Sequence, residues 1–298
     1  QARREKYSDQ TSSTEGGLLK ENWFNLQNSF AVINTTLDRS EQLRLAYLAF
    51  ATISYRNYLF GEVTARQEYS STLPPGNNHY FYGSANGAYV FTERWNLKKL
   101  FHYGKLRVSY GVVGNAPPAY AAALTYVQTT LPTANGPVAA QSVPRDLGNP
   151  DIKPERKYET EAGIELQWLK GRLGLDFSWY NSRIRNQIVQ LTVPASAGAY
   201  SQLINGGVLH SRGFELSLEA TPVKQKEFTW QLQINAARNR TQVSELGQHV
   251  REVVYYNSEQ QAVKVVALPG QNVGEIYVYP QLVNEKGQKI VGANGLYV

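Results

Sequence analysis

Glu159, Glu161 and Glu165 fall at even spacing in the stretch KYETEAGIELQWLKGRLGLDFSWYNS, Lys157 to Ser182. On an extended strand such residues share a face, and neighbours two apart stand about 7 Å from each other, a separation that suits the paired acid and base of an inverting glycoside hydrolase. Ordinary strand alternation produces the same spacing. It places Gly163 and Gln167 with the three glutamates on one side, and Tyr158, Thr160, Ala162, Ile164, Leu166 and Trp168 on the other. With no cleft or substrate platform beside them, the acids read as the lining of a wet face, balanced by Arg172 and neighbouring bases.

The other residue types that carry chemistry are dispersed. His79, His102, His210 and His249 lie far apart and none belongs to a His-Glu-x-x-His element, so no zinc site is assigned. Without cysteine there is no disulfide, thiolate metal site or cysteine nucleophile. A Gly-x-Ser-x-Gly elbow, a Walker A loop, an EF-hand loop and a Gly-x-Gly-x-x-Gly fingerprint are also missing from the sequence. No catalytic residue, metal or cofactor follows, and the chain reads as a non-enzyme. The net charge is +6, but 30 Lys and Arg are interleaved with 24 acids instead of gathered in a stripe, which argues against nucleic acid as a partner. The basic run LKKLFHYGKLR reads as a solvated turn, and Asn34-Thr-Thr and Asn239-Arg-Thr as chance matches to a glycosylation pattern.

The elements that must position these residues are strands. The chain of 298 residues is 42% hydrophobic, enough for a folded core, and its 20 Tyr, 24 Gly and 13 Pro favour short strands and turns over helices. Mean hydropathy is −0.42 and no run approaches a membrane helix. A membrane β-strand, however, needs only about 9 to 11 residues and hides half of them from lipid, so it hardly raises the average. Alternation predicts strands near residues 24–37, 43–55, 58–68, 80–91, 105–111, 158–168, 172–180, 212–221 and 228–237, with others after 262.

The connections alternate in length. Arg56 and Asn57, Leu169 to Gly171, and Pro222 to Glu227 are short, with Thr92 to Gly104 intermediate; SSTLPPGNNH and the stretches 112–157 and 181–211 are long. An up-and-down sheet then carries every short turn at one end and every long loop at the other, as outer-membrane barrels do. In that geometry Leu173, Leu175, Phe177 and Trp179 face lipid, Arg172, Gly174, Asp176, Ser178 and Tyr180 face a wet lumen, and Trp168, Phe228 and Trp230 form an aromatic girdle beside the short turns. The rival architecture is a soluble sandwich, which would bury Leu175, Phe177, Leu216 and Leu232 between two sheets. At the long-loop end, Tyr120, Tyr126, Tyr200, Tyr255 and Tyr256 offer ring faces and hydroxyls to a sugar or peptide and are the candidate substrate-binding residues.

Several blocks resemble the SusC/RagA family of TonB-dependent outer-membrane transporters of Bacteroidota. NPDIKPE is similar to the family's Asn-Pro-Asp-Leu-Lys-x-Glu block, and INGGVLHSRGFELSL to its Asn-x-Gly-x-x-x-Asn-x-Gly-x-Glu strand opening, with Ser211 and Arg212 where Asn and Lys are usual. FYGSANGAYVFTER and KLRVSYGVVGN resemble two upstream blocks, with Gly83 in place of a proline and Tyr89 in place of a tryptophan; GQNVGEIYVY resembles a downstream one, departing at Val273 and Val278. The blocks follow one another in the family's order from Leu43 to Tyr279.

That resemblance implies an all-β, antiparallel transmembrane β-barrel of about 22 strands. It also implies an N-terminal plug, a SusD-like surface lipoprotein as lid, and energy from the TonB-ExbB-ExbD complex. The setting is the lipid of a Gram-negative outer membrane, and the cargo an oligosaccharide or peptide nutrient; whether two transporter and lipoprotein pairs associate is left open. About nine strands cannot close such a barrel. Residues 1–298 are therefore expected to be one partial barrel domain from the C-terminal half, with long extracellular loops near 112–157 and 181–211 and the plug outside the sequence. The start at Gln1, without Met or a signal segment, agrees with a processed or partial chain. The rival functions are a passive porin or structural barrel, and a soluble all-β carbohydrate-binding domain.

Overall fold

The computed structural model describes residues 1–292 apart from 96, 98, 99, 135, 248, 249, 259–262, 279 and 281. In chain order its strands are β1 (Ala2–Ser13), β2 (Asn34–Tyr55), β3 (Leu59–Ser70), β4 (His79–Val90), β5 (Tyr103–Asn115), β6 (Val127–Thr133), β7 (Gly136–Ser142) and β8 (Asp146–Leu147), then β9 (Glu155–Trp168), β10 (Leu173–Arg185), β11 (Ile188–Thr192), β12 (Ser201–Asn205), β13 (Val208–Lys224), β14 (Thr229–Glu245), β15 (Val253–Asn257), β16 (Val263–Ala267) and β17 (Glu275–Val278). One helical turn, α1 (Phe91–Arg94), interrupts them. A nine-stranded antiparallel sheet runs β1-β2-β3-β4-β5-β9-β10-β13-β14, and the remaining strands form three small sheets in the long loops. The sheet is open at β1 and β14, so the described residues build part of a barrel wall.

Register fixes the two faces. Leu175 stands opposite Leu166 on β9 and Leu218 on β13, Phe177 opposite Ile164 and Leu216, and Leu218 opposite Ile234 on β14. The Phe177 and Phe214 rings stack at 6.2 Å. On the other face Asp176 meets Glu165 and Ser217, and Asn86 of β4 meets Glu62 of β3 and Ser109 of β5. A one-residue slip would turn every apolar side chain into the polar face, so the pattern specifies the pairing. Among the described residues no second sheet covers the apolar face: Leu232 is 45% exposed, and Leu175, Phe177 and Leu216 are only half-buried. The sandwich expectation is thereby overturned. Among the described residues no helix is long and apolar enough to cross a membrane, and the uncovered face belongs to strands. On β2 the alternation is broken by Leu48 and Phe50, exposed apolar residues on the polar side.

The short ends are tight for identifiable reasons. Arg56 and Asn57 both take positive φ as the central pair of a turn in which the Tyr58 amide donates to the Tyr55 carbonyl at 3.2 Å, the handedness that matches strand twist. Leu169, Lys170 and Gly171 also take positive φ between β9 and β10. Between β4 and β5, α1 buries Phe91, whose ring meets Phe101 edge-on, and Phe101 meets Trp168 the same way at 6.3 Å. Tyr55, Tyr58, Tyr89 and Trp95 form a second edge-to-face chain at this end. The aromatic girdle thus includes Trp168 as expected and extends through tyrosines that the sequence did not single out. Pro222, which cannot donate to a ladder, sits where β13 and β14 shift register between Ala220 and Val223.

Two expectations change. Residues 24–33 are not a strand: Asn28 turns the chain back, its Nδ2 donating to the carbonyls of Lys20 (2.8 Å) and Trp23 (2.7 Å). The strand begins at Asn34 and pairs with β1, which was not anticipated, because β1 is charged on both faces. Its Arg4 and Lys6 bridge to Glu41. β2 pairs with β1 over Asn34–Leu45 and with β3 over Arg44–Tyr55, so its first half projects past the wall as one side of a hairpin arm.

Candidate functional site

The site is the polar face of the sheet and the cap of loops above its long-loop end. At the centre of the face Arg107 of β5 reaches across β9 to β10. Its Nη1 donates to Asp176 Oδ2 at 3.2 Å, and its Nη2 donates to Asp176 Oδ1 and Ser178 Oγ, both at 2.5 Å. Gly163 makes the crossing possible, since a Cβ there would lie 2.6 Å from Arg107 Nε. Glu161 stands 3.9 Å from the same guanidinium, Lys105 stands 3.7 Å from Glu165, and Lys157 pairs with Glu159 at 2.6 Å. The three glutamates singled out in the sequence therefore sit in ion pairs along a wall and do not form an acid–base pair. Their partners are Lys105, Arg107 and Lys157, and among the described residues Arg172 makes no salt bridge. Arg172 lies in the short turn, whereas Lys157 is on β9 itself and Lys105 and Arg107 come from β5, adjacent in space though about fifty residues earlier. A groove of about 580 Å³ follows this face past Glu62, Asn86, Lys105, Arg107, Ser109 and Glu161.

Higher on the face Glu68 is almost wholly buried. Tyr80 and Tyr82 donate their hydroxyls to it at 2.9 and 2.6 Å, and Arg66 pairs with it at 2.8 Å. The two tyrosine rings stack at 5.7 Å, and Gly114 leaves room for the Tyr80 ring, which a Cβ would approach to 2.5 Å. Arg44 Nε is buried nearby without a hydrogen-bond partner. Nothing local in the sequence announces this cluster, because a glutamate beside an arginine on a wet face is ordinary until the fold brings two tyrosines to it.

The cap rests on two small apolar cores. Ile152, fully buried, packs with Leu73, Tyr80 and Ala116, and Ile188 and Leu203 join them. Val189, Leu209, Val243, Val253 and Ala267 form the other, which ties β11 and β15 to β13 and β14. The recognisable blocks of the sequence build these cores. In NPDIKPE the Asn149 side chain accepts the Asp151 amide at 2.9 Å, a local turn that delivers Ile152. Asn205 of INGG then clamps the segment, accepting from Lys153 N and donating to Lys153 O, both at 2.8 Å. Gly207 follows with φ +93°, where a Cβ would lie 2.8 Å from the Glu245 carbonyl.

The five candidate tyrosines lie in this cap on three separate segments. Tyr120, at φ +65°, accepts the Glu41 amide on its hydroxyl at 3.3 Å, tying its loop to β2. Tyr126 is exposed before β6. Tyr200 lies under the Arg145 guanidinium at 5.5 Å, beside the β8-β12 pairing. Tyr255 and Tyr256 are on β15, and partial burial pushes the Tyr255 hydroxyl above its ordinary range. The histidines stay apart: His79 rests on Tyr69, His102 lies near the turn at Gly171, and His210 bonds Asn181 at 2.5 Å. His249, like Lys98 and Lys99 of the basic run, is outside the described residues.

A sheet with one bare apolar face, one charged face and its longest loops at one end defines the wall of a transmembrane β-barrel. The family model for TonB dependent receptor-like β-barrels matches residues 5–271, and the chain belongs to that family. It is similar to TonB-dependent receptor P26 of Formosa agariphila, at 28% identity over 232 residues covering 75% of this chain and 23% of the relative. TonB-dependent receptor SusC of Bacteroides thetaiotaomicron is 26% identical over 285 residues, which cover 89% of this chain and 27% of SusC. Among solved structures, the RagAB peptide importer in its closed-closed state superposes with a TM-score of 0.74 at 17% identity, covering 100% of this chain and 33% of that one. The chain thus spans about a quarter to a third of these three proteins, and the SusC/RagA resemblance of its motifs agrees with them.

Proposed function

We propose that the chain supplies wall, lumen lining and extracellular cap to a TonB-dependent importer of the Gram-negative outer membrane, from a member of the Bacteroidota, that takes up an oligosaccharide or peptide nutrient. The observation that carries this reading is the division of one nine-stranded meander into an uncovered apolar face and a charged face, with the longest loops at one end. The likeness to the RagAB peptide importer supports a peptide cargo, and Tyr120, Tyr126, Tyr200, Tyr255 and Tyr256 are proposed to contact it or a sugar. In this reading residues 1–298 are one partial barrel domain. The remainder of the native chain brings the plug that couples to TonB-ExbB-ExbD, and a SusD-like lipoprotein closes the cap.

The first test is the intact mass and N-terminal sequence of the native polypeptide extracted in detergent, followed by uptake of labelled peptide and oligosaccharide by cells. A chain about three times as long as this one, with uptake abolished by a protonophore, is expected. A native polypeptide of this length that conducts solutes passively in liposomes would replace the importer with a porin.

A further inference from the structure

On the outward face the acids and bases are divided in a way that lumen lining does not explain. Following the register from β9 to β14, Arg156 stands opposite Arg185, Arg183 opposite His210, and Arg212 opposite Arg240, with Arg238 opposite Phe214. All six arginines share the face of Leu175 and Leu218, toward its long-loop end. Every Asp and Glu that these four strands pair in the sheet falls on the other face, apart from Glu245, which stands opposite Val208 beyond a register shift. Like charges directly opposite one another on a sheet destabilise it unless something neutralises them. Among the described residues no salt bridge does so: Arg240 Nε donates to Asn272 Oδ1 at 3.1 Å, and Glu275 reaches only Asn272, at 3.1 Å. Arg185 lies over the Tyr158 ring at 5.7 Å. Trp179, Arg212, Gly213, Phe214, Arg238 and Arg240 enclose a hollow of about 290 Å³.

The level of this belt identifies its occupant. Counted from Trp230, the roughly 9 to 11 residues a tilted strand needs to cross the hydrocarbon end at Arg238 and Arg240. The guanidinium groups therefore emerge where the apolar band stops and lipid headgroups begin, with the Trp179 indole beside them. Guanidinium forks bind phosphate bidentately and keep their charge at any physiological pH. Resting on the outer-membrane wall reading above, we infer that this face binds the phosphate groups of an outer-leaflet glycolipid, with acyl chains lying along Phe177, Phe214 and Leu216.

The test uses the full-length protein in detergent and native mass spectrometry. The probes are diphosphoryl lipid A, the same lipid stripped of phosphate, and inorganic phosphate alone. The diphosphoryl lipid is expected to bind at least about tenfold more tightly than the stripped one, and a variant combining R212Q, R238Q and R240Q to lose about the same factor. A variant with K170Q, R172Q and K224Q, which removes as many charges from the short-turn end, retains the lipid. If the triple variant fails to insert, R240Q alone is read for a smaller loss in the same assay. Unchanged binding in the arginine variants, equal binding of both lipids, or inorganic phosphate that the lipid does not displace overturns the inference. A wild-type protein released from membranes without detergent removes the wall reading itself, whereas a detergent-requiring protein whose lipid binding ignores the arginines removes only the belt.

Discussion

The wall and the cap are held together by different physics, although the same strands run through both. In the wall, order comes from backbone ladders, and the apolar side chains are left for lipid. In the cap, order comes from two clusters of a few buried residues each, clamped by the side chains of Asn149 and Asn205. The wall should therefore resist loss of any one side chain yet fail when its solvent changes character, and the cap should do the reverse.

The largest effect is expected from Leu218→Arg in the middle of the bare face. It should cost about 2–4 kcal/mol in reversible unfolding from lipid vesicles, while Leu218→Ala costs far less; equal effects would mean that the face is not in lipid. Next comes Ile152→Ala, with about 2–3 kcal/mol lost locally. Hydrogen exchange should accelerate in the loops around Leu73, Ala116 and Leu203 and stay slow in β9 and β10. Exchange rising equally in both regions would erase the division. Within the wall, Glu68→Gln leaves the tyrosine hydroxyls a poorer acceptor and should cost about 1–2 kcal/mol, seen as a lower thermal midpoint of the full-length protein. Smallest is Tyr120→Phe, which loses the bond to the Glu41 amide. About 1 kcal/mol or less is expected, with a drop in cargo affinity only if this hydroxyl also contacts cargo.

The same division explains what the sequence disclosed. Strands such as KYETEAGIELQW are legible because a two-faced environment imposes strict alternation on them, and β9, β10, β13 and β14 include the segments the pattern put there, running on past them at their long-loop ends, furthest in β14, and in β13 at the short-turn end as well. Outside the hydrocarbon the constraint lapses. β1 alternates nothing and was invisible, while Phe24, Leu26 and Phe30 alternate in a segment that is only looped. Lys157 beside Glu159 is a neighbouring base as read, but the partners of Glu161 and Glu165 were missed for a related reason: strand order skips from β5 to β9, and nothing local announces that Arg107 will cross Gly163. The cap strands β6, β7, β11 and β12 are too short to carry a period.

β2 belongs to both regions, and its length has a mechanical meaning. Its twenty-two residues are a single unbroken strand, bonded to β3 below and β1 above, with the two pairings overlapping at Arg44 and Leu45. A force along the arm, applied near Trp23 and Phe24 at its tip, loads the β1 ladder in shear, so many bonds share the tension instead of parting one after another. A sideways force meets only the bending stiffness of a two-stranded ribbon. The arm is stiff toward the membrane and compliant across it, and whatever engages its tip is held at a set height while free to swing.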